Sequence, residues 1–216
     1  MTSIKPIPNP RAKKRNPEAV QENILRVATE EFAAQGYAGA RINVIAERTS
    51  TSKRMIYYYF SDKETLYRKV LEAAYRGIRH GELSLGLDDM SPVEAMSELV
   101  RYTFEHELKS PHFVRLVMNE NIQDGRNLED PSTFRELNAP ATLRVASIYN
   151  RGVEQGDFRS GLSPVELHWY ISGLCFFNMS NRATFGTAFG NELFTERGQE
   201  RLCEHIIEMI IRFLRP

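Results

Sequence analysis

Residues 41–63 bring together basic side chains and phenolic hydroxyls, two types that donate hydrogen bonds to anionic oxygens. Lys53 and Arg54 are adjacent, and three tyrosines follow directly: Tyr57, Tyr58 and Tyr59. Lys and Arg bind phosphates and the acceptor edge of guanine, and tyrosine hydroxyls bind phosphates, so this set fits contact with nucleic acid. Consecutive helical residues point about 100° apart. One tyrosine is therefore expected to pack between helices, while the others present their hydroxyls.

Charge is distributed unevenly along the chain. The 216 residues include 28 Lys and Arg and 28 Asp and Glu, so the formal net charge is zero. Residues 1–70 hold 13 basic against 7 acidic residues, a net of +6, which leaves −6 for residues 71–216. The zero total argues against a uniformly basic nucleic-acid coat, whereas the asymmetry indicates that the N-terminal part binds a polyanion.

Motifs for catalysis or metal binding are absent from the sequence. It has no Gly-x-Gly-x-x-Gly, phosphate loop, His-Glu-x-x-His or Cys-x-x-Cys, and its five histidines lack metal-ligand spacing. We therefore expect no catalytic residue, cofactor or metal. This argues against the alternative that the acidic part is an enzyme tethered by the basic end. Cys175 and Cys203 lie in apolar helical patterns and are interpreted as core residues in a reducing compartment.

Neither a membrane span nor an export signal is predicted. The most apolar stretch, residues 169–180, falls short of the ~20 apolar residues that a spanning helix needs. Residues 1–16 are basic, contain three prolines and lack an apolar segment, so we expect a flexible basic arm on a cytoplasmic protein. The arm is interpreted either as a DNA contact or as a solubilising tail.

Helical periodicity runs through the rest of the chain, and no segment shows the sustained alternation of a strand. An all-α fold of about nine helices is therefore predicted. Three Ser-x-x-Glu boxes predict helix starts, at Ser61, Ser91 and Ser163. The predicted helices cover about residues 17–36, 43–49, 53–59, 62–84, 92–110, 112–121, 134–155, 164–186 and 197–214.

A short helix, a four-residue turn and a second short helix are predicted within residues 43–59. In the most basic part of the chain, this layout is that of a helix-turn-helix DNA reader. Lys53 and Arg54, in the first turn of the second helix, are expected to reach base edges in the major groove. Lys63, at the start of the next helix, is expected to bind a phosphate. The alternative is that these cations form only a solvated face.

Five motifs stand in order here: Phe32-x-x-x-Gly36-Tyr37, Ile45-Ala46-Glu47, Ser52-Lys53, Tyr57-Tyr58-Tyr59-Phe60 and Asp62-Lys63-Glu64-x-Leu66. Together they resemble the N-terminal signature of the TetR family of transcriptional repressors, over about residues 17–70. The resemblance implies base contacts by Asn43, Lys53, Arg54 and Met55. The resemblance also implies phosphate contacts by Ile42, Tyr57, Tyr58, Tyr59 and Lys63, and the local charge and helix positions add Arg41 and Ser52.

Two positions depart from the family pattern. Ser50 follows the second helix where the family usually has Gly, so it must take the turn conformation without glycine's freedom. Arg41 precedes that helix where Ser or Thr is usual, so the N-cap is either lost or moved to Asn43. Both departures affect local geometry and leave the motif in place.

The resemblance further implies a helix-turn-helix DNA-binding domain over residues 17–62 and a larger ligand-binding and dimerisation domain over residues 63–216. The last helix has two apolar stripes, one of which can face a second copy, and in the family the last two helices usually form the dimer interface. The predicted interface residues are Gly173, Cys203, Ile207, Ile210, Ile211 and Leu214. The alternative is that both stripes are buried within one chain.

An effector pocket is also implied, without an identified ligand. Polar or aromatic residues within apolar runs are the candidates, although such residues commonly belong to the core or the solvated surface. They are Arg79, His80, Asn119, Glu120, Asn121, Trp169, Tyr170, Phe176, Phe177 and Asn178. The middle of the chain is also similar to the RutR-like, pyrimidine-responsive branch, around Arg115, Leu116 and Trp169.

We therefore expect a homodimeric repressor that binds a two-fold operator in double-stranded DNA and whose affinity a small molecule alters. The sequence does not choose between an inducer and a co-repressor. The alternative function is a DNA-binding scaffold or packaging protein without a ligand response. Its binding would follow salt and ignore sequence.

Overall fold

Helices build the described part of the chain, which is residues 16–128 and 131–216 of a computed structural model and contains no strand. The α-helices are α1 (Pro17–Gly39), α2 (Ile42–Arg48), α3 (Lys53–Phe60), α4 (Lys63–Leu83), α5 (Pro92–Lys109), α6 (Pro111–Ile122), α7 (Pro131–Gln155), α8 (Pro164–Ser180), α9 (Arg182–Phe189) and α10 (Glu196–Leu214). Short 3-10 helices occupy Leu87–Asp89 and Glu192–Phe194. The all-α prediction is confirmed. The tenth helix arises because the predicted helix 164–186 is divided at Asn181.

The helix starts follow the predicted caps only in part. Ser91 forms the full capping box at the start of α5, because its Oγ accepts from the Glu94 amide and the Glu94 side chain accepts from the Ser91 amide. Ser61 does not cap α4. Asp62 does so instead, accepting from the Thr65 amide at 2.7 Å, while Ser61 has a left-handed φ of 61°. Ser163 precedes α8 without a side-chain cap.

The first helix begins at the predicted place. Asn16 Oδ1 accepts a hydrogen bond from the Glu18 amide at 3.1 Å, with Pro17 at the first helical position. Gly36 interrupts the helix with a φ of 66°, a conformation that favours glycine, and the chain continues for one more turn to Gly39. The predicted basic arm, residues 1–16, lies outside the described residues except for Asn16.

Two separate apolar cores form. The first gathers the inward faces of α1, α2 and α3 with the first half of α4, and it also takes Leu116 from α6. The second lies among α5, α7, α8 and α10 and includes both cysteines. The first core therefore extends beyond residue 62, because it includes Leu66, Val70 and Leu71 of α4. Within the described ranges, no helix is both long and apolar enough to cross a membrane.

Candidate functional site

Helices α2 and α3 form a helix-turn-helix that the first core holds in place. Ile45 and Ala46 of α2 and Ile56 and Phe60 of α3 are buried. The turn closes on α2, since the Thr51 amide donates to the Ala46 carbonyl at 3.0 Å. Ser50 stands where the family usually has glycine, and it takes the expected left-handed conformation with a φ of 51°. This packing fixes the orientation of α3 and therefore which of its side chains are exposed.

The predicted base-contacting side chains are all accessible to a partner. Asn43 on α2 and Lys53, Arg54 and Met55 on α3 are all exposed. Ser52 caps α3, because its Oγ accepts from the Met55 amide at 3.2 Å. The first turn of α3 therefore offers two exposed cations beside the amide-rich end of a helix, a combination that attracts anionic oxygens.

The start of α2 differs from expectation at Ile42. Its side chain is 7% exposed and belongs to the first core, so the side chain cannot reach a phosphate. Only its backbone amide, at the first helical position, stays available for such a contact. Arg41 precedes it with an exposed side chain and no side-chain cap, so the N-cap is lost rather than moved to Asn43. The Arg41 amide donates instead to Glu31 Oε1 at 3.1 Å.

The three tyrosines differ from the prediction that one packs between helices and the other two are presented. Tyr57 and Tyr59 are half-buried and pack against the first core, whereas Tyr58 is 76% exposed. The Lys53 Nζ lies 5.7 Å from the centroid of the Tyr57 ring, within reach of a cation–π contact. Tyr58 and Tyr59 meet edge to face at 5.3 Å. Two tyrosines thus support the helix from its sides, and Tyr58 alone is freely presented.

Lys63 stands at the first position of α4, where it contacts α1. Its Nζ lies 4.9 Å from the centroid of the Tyr37 ring and 3.5 Å from the Ala38 carbonyl oxygen. Partial burial lowers the pKa of the Lys63 ammonium. This cation is held against the protein near a helix N-terminus, which is the geometry predicted for a phosphate contact.

A cavity of about 350 Å³ lies among α4, α5, α6, α7 and α8. Six aromatic or aliphatic residues, eight polar or charged residues and one glycine form its wall. It is lined by Tyr75, Ile78, Arg79, Glu82, Thr103, Glu107, Phe113, Val117, Asn121, Asn138, His168, Trp169, Ser172, Gly173 and Phe176. Its size and mixed lining are those of a small-molecule site.

Burial shifts the pKa values of three titratable groups in this cavity. Arg79 donates from Nη1 to both Glu82 oxygens, at 2.7 and 2.6 Å, and burial raises the pKa of Glu82 despite that partner. Burial raises the pKa of Glu107 to about 8. Burial, with a smaller contribution from Arg79, lowers the pKa of His168 to about 4.

The cavity includes four of the ten predicted pocket residues, namely Arg79, Asn121, Trp169 and Phe176. The other six lie elsewhere. His80 is exposed, and Asn119 Nδ2 donates to the Phe32 carbonyl on α1. Glu120 is buried and accepts from Asn127. The remaining three line a separate apolar groove between α8 and α10: Tyr170, Phe177 and Asn178.

Sequence reasoning missed Glu82, Glu107 and His168. A signal existed for Glu107, which lies four residues after Thr103 and seven after Val100 on the buried side of α5. A charged residue on an apolar stripe is uncommon and points to a partner or a function. His168 gave no such signal, because its surroundings come from other helices.

An exposed apolar face covers α8 and α10 beside a groove of about 940 Å³. Its main members are large side chains with substantial exposure: Trp169, Tyr170, Leu174, Phe177, Met209 and Phe213. We call this set the α8/α10 face. Contiguous apolar surface of this kind marks an interaction site in a folded protein.

The predicted interface residues largely miss this face. Cys203, Ile207, Ile211 and Leu214 belong to the second core, because that stripe of α10 packs inside the chain, and so little of their area is left for a partner. Ile210 is also buried but lines the groove, and Gly173 is exposed on it. The outward stripe of α10 is formed by Met209 and Phe213.

Comparisons with known protein families match most of the chain. Residues 24–70 match the model described as "Bacterial regulatory proteins, tetR family". Residues 92–210 match the model described as "Tetracyclin repressor-like, C-terminal domain".

Relatives with similar sequences carry the names of transcriptional regulators. The HTH-type transcriptional repressor NicS of Pseudomonas putida is 30% identical over 198 residues, which cover 92% of this chain and 93% of that protein. The HTH-type transcriptional regulator RutR of Escherichia coli is 32% identical over 115 residues, covering 53% of this chain and 54% of that protein.

Solved structures share the fold. A regulatory protein of the tetR family from Rhodococcus RHA1 aligns with a TM-score of 0.73 at 15% identity, over 94% of this chain and 98% of that one. HlyIIR, a hemolysin II transcriptional regulator, aligns with a TM-score of 0.60 at 22% identity, over 93% and 99%.

Proposed function

The chain belongs to the TetR family of helix-turn-helix transcriptional regulators, and on this basis we propose that it is a homodimeric repressor of a two-fold DNA operator, controlled by a small molecule. The observation that supports the proposal most is the first turn of α3. Lys53 and Arg54 are exposed there, above a buried Ile56 that fixes the helix. A recognition helix reads bases from its N-terminal turns.

Base recognition is assigned to Asn43, Lys53, Arg54 and Met55. Lys and Arg bind the O6 and N7 acceptors of guanine, and each good pairing discriminates by ~1–3 kcal/mol. Phosphate contacts are assigned to the Arg41, Tyr58 and Lys63 side chains and to the Ile42 backbone amide. Ser52, Tyr57 and Tyr59 are also assigned to phosphate through their hydroxyls, although Ser52 Oγ caps α3 and the two tyrosines pack against the first core.

Dimerisation is assigned to the α8/α10 face rather than to the buried stripe of α10. A reader with one recognition helix gains specificity when a second copy reads another half-site ~34–36 Å away. Trp169, Phe177, Met209 and Phe213 offer enough exposed apolar area to bury against a second copy of the same face. A two-fold interface is self-complementary, so one apolar face serves both subunits.

The cavity is assigned to the effector, and α4 and α6 connect it to the reader. Helix α4 starts at Lys63 and lines the cavity from Tyr75 onward, about 18 Å further along its axis. Helix α6 places Leu116 in the first core and Phe113 in the cavity wall. A ligand that prefers one arrangement of these helices changes operator affinity by its differential affinity, typically ~1–3 kcal/mol.

A binding titration separates this function from sequence-blind packaging. The chain is titrated at two salt concentrations with an operator duplex, obtained by selection from random DNA, and with a shuffled duplex of equal length. A base-reading repressor binds the operator about 10³-fold or more tightly than the shuffled duplex. Equal affinity for both duplexes, with the same salt dependence, would support the packaging alternative.

A further inference from the structure

Glu107 is a buried acid that the internal contacts leave without a full set of partners. The residue is 3% exposed and lines the cavity. Its Oε2 has no hydrogen-bond partner in the described part of the chain. Burial by itself raises the pKa of this carboxyl to about 8. Buried carboxylates are normally paired, because an uncompensated one is costly.

The other charges around the cavity do not compensate Glu107. Arg79, the cation that lines the cavity in the described residues, already donates to both oxygens of Glu82. His168 stays neutral near pH 7, because burial holds its pKa at about 4. Among the described residues, the cavity therefore contains one ion pair, in which Arg79 Nε still lacks a hydrogen-bond partner, and one acid that lacks a cation.

Aromatic rings form the rest of the recognition surface. Tyr75, Phe113, Trp169 and Phe176 all line the cavity, and Tyr75 packs edge to face on Phe113 at 5.3 Å. Ring faces attract cations, the more so when water is excluded, and they also pack against flat apolar groups. Rings and an unpaired acid together favour a positively charged ligand with a flat body.

We propose that this cavity binds an organic cation, an amidinium or protonated amine on a flat apolar body, whose charged group hydrogen-bonds to the Glu107 carboxylate. The inference rests on the proposed effector role of the cavity and names the ligand class. A bound cation takes the place of the proton that Glu107 retains at neutral pH, and it leaves the Arg79–Glu82 pair intact. An anion of the same shape would have to share Arg79, through its unpartnered Nε, with Glu82.

Three isosteric probes test the charge preference directly: benzamidinium, neutral benzamide and anionic benzoate. They share one ring and one planar group and differ mainly in charge, so titration calorimetry at one pH above 8, where Glu107 is largely ionised, compares their charges. We expect benzamidinium to bind about tenfold or more tightly than benzoate, with benzamide between them. Benzoate binding as tightly as benzamidinium, or no benzamidinium binding at all, would overturn the proposal.

Two matched variants locate the contact. Glu107→Gln keeps the shape and removes the charge, and should weaken benzamidinium about tenfold while leaving benzamide nearly unchanged. Glu105→Gln makes the same change on α5 at an exposed acid paired with Lys109, and should have no effect. An unaltered benzamidinium affinity in Glu107→Gln would also overturn the assignment. The ranking of the three probes on the wild type does not depend on how that variant folds.

Operator binding, measured on the same protein without a probe, distinguishes failure of the cation site from failure of the proposed function. If the protein binds its operator but does not prefer benzamidinium, the proposed function stands and the cation site is wrong. If it prefers benzamidinium but binds DNA without sequence preference, the cation site stands and the repressor function is wrong.

Discussion

The Nζ of Lys63 lies 4.9 Å from the centroid of the Tyr37 ring, and this contact ties the start of α4 to the end of α1. The ring and the Ala38 carbonyl together hold the ammonium in one place. A positioned cation at a helix N-terminus is suited to a phosphate and carries no information about bases.

Replacing Lys63 with Ala should therefore weaken binding to operator and to shuffled DNA alike. Removing one phosphate contact lowers the slope of log affinity against log salt by about one. Fluorescence anisotropy titrations over a range of salt concentrations measure that slope. The control is Lys109→Ala on α5, an exposed lysine paired with Glu105 and outside the reader. An unchanged slope in Lys63→Ala would remove this residue from the phosphate contacts.

Replacing Lys53 or Arg54 with Ala should relax sequence preference. Both side chains are exposed in the first turn of α3, so their loss leaves the buried Ile56 and Phe60 undisturbed. We expect a cost of ~1–3 kcal/mol on the operator and a much smaller one on shuffled DNA. Competition binding with both duplexes measures the difference. An equal loss on the two would assign these cations to the phosphate backbone instead.

The oligomeric state should depend on the α8/α10 face. Phe177→Arg and Met209→Arg together place charges on two exposed apolar positions and should convert a dimer into a folded monomer in sedimentation experiments. Ile207→Arg should instead lower thermal stability, because this side chain lies in the second core. Ile122→Arg, at an exposed apolar position on α6, is the control. A wild type that sediments as a monomer would contradict the interface.

The stability of the protein should depend on pH through Glu107. Its pKa is raised from 4.5 in the unfolded chain to about 8 in the folded one. Between these values the folded state retains a proton that the unfolded chain releases, so the free energy of unfolding falls as pH rises from 4.5 to about 8.

Glu107→Gln should remove this fall in the free energy of unfolding, because glutamine does not titrate. The free energy of unfolding of the variant, relative to the wild type, should increase by a few kcal/mol from pH 4.5 to 8 and then level off. Denaturant unfolding of both proteins at several pH values measures this difference. Acidification also destabilises both proteins through His168, whose pKa is lowered to about 4, and this effect cancels in the difference. A difference that stays constant with pH would show that Glu107 has an ordinary pKa.

The reader was predictable from sequence because its determinants are local. Cap, turn and periodicity place Lys53 and Arg54 outward and Ile56 inward within a few residues of each other. The burial of the Ile42 side chain was not predictable, because the resemblance gives its position in the motif and not the direction of its side chain. Packing against α1 decides that direction.

The cavity and the interface depend on contacts between distant helices. Glu107 and His168 are 61 positions apart in the chain, and both line one cavity because α5 packs on α8. The two stripes of α10 look alike in sequence. Packing of one stripe inside the chain leaves Met209 and Phe213 outside, and no periodicity indicates which stripe that will be.

Selection of bound duplexes from a random DNA pool decides whether the chain reads a two-fold operator. A dimeric helix-turn-helix reader predicts an enriched two-fold motif with half-sites about one helical turn, or a multiple of it, apart. Lys53→Ala, carried through the same selection, should lose preference at matching positions of both half-sites. A pool that stays random after repeated rounds, while still binding the protein, would contradict the account.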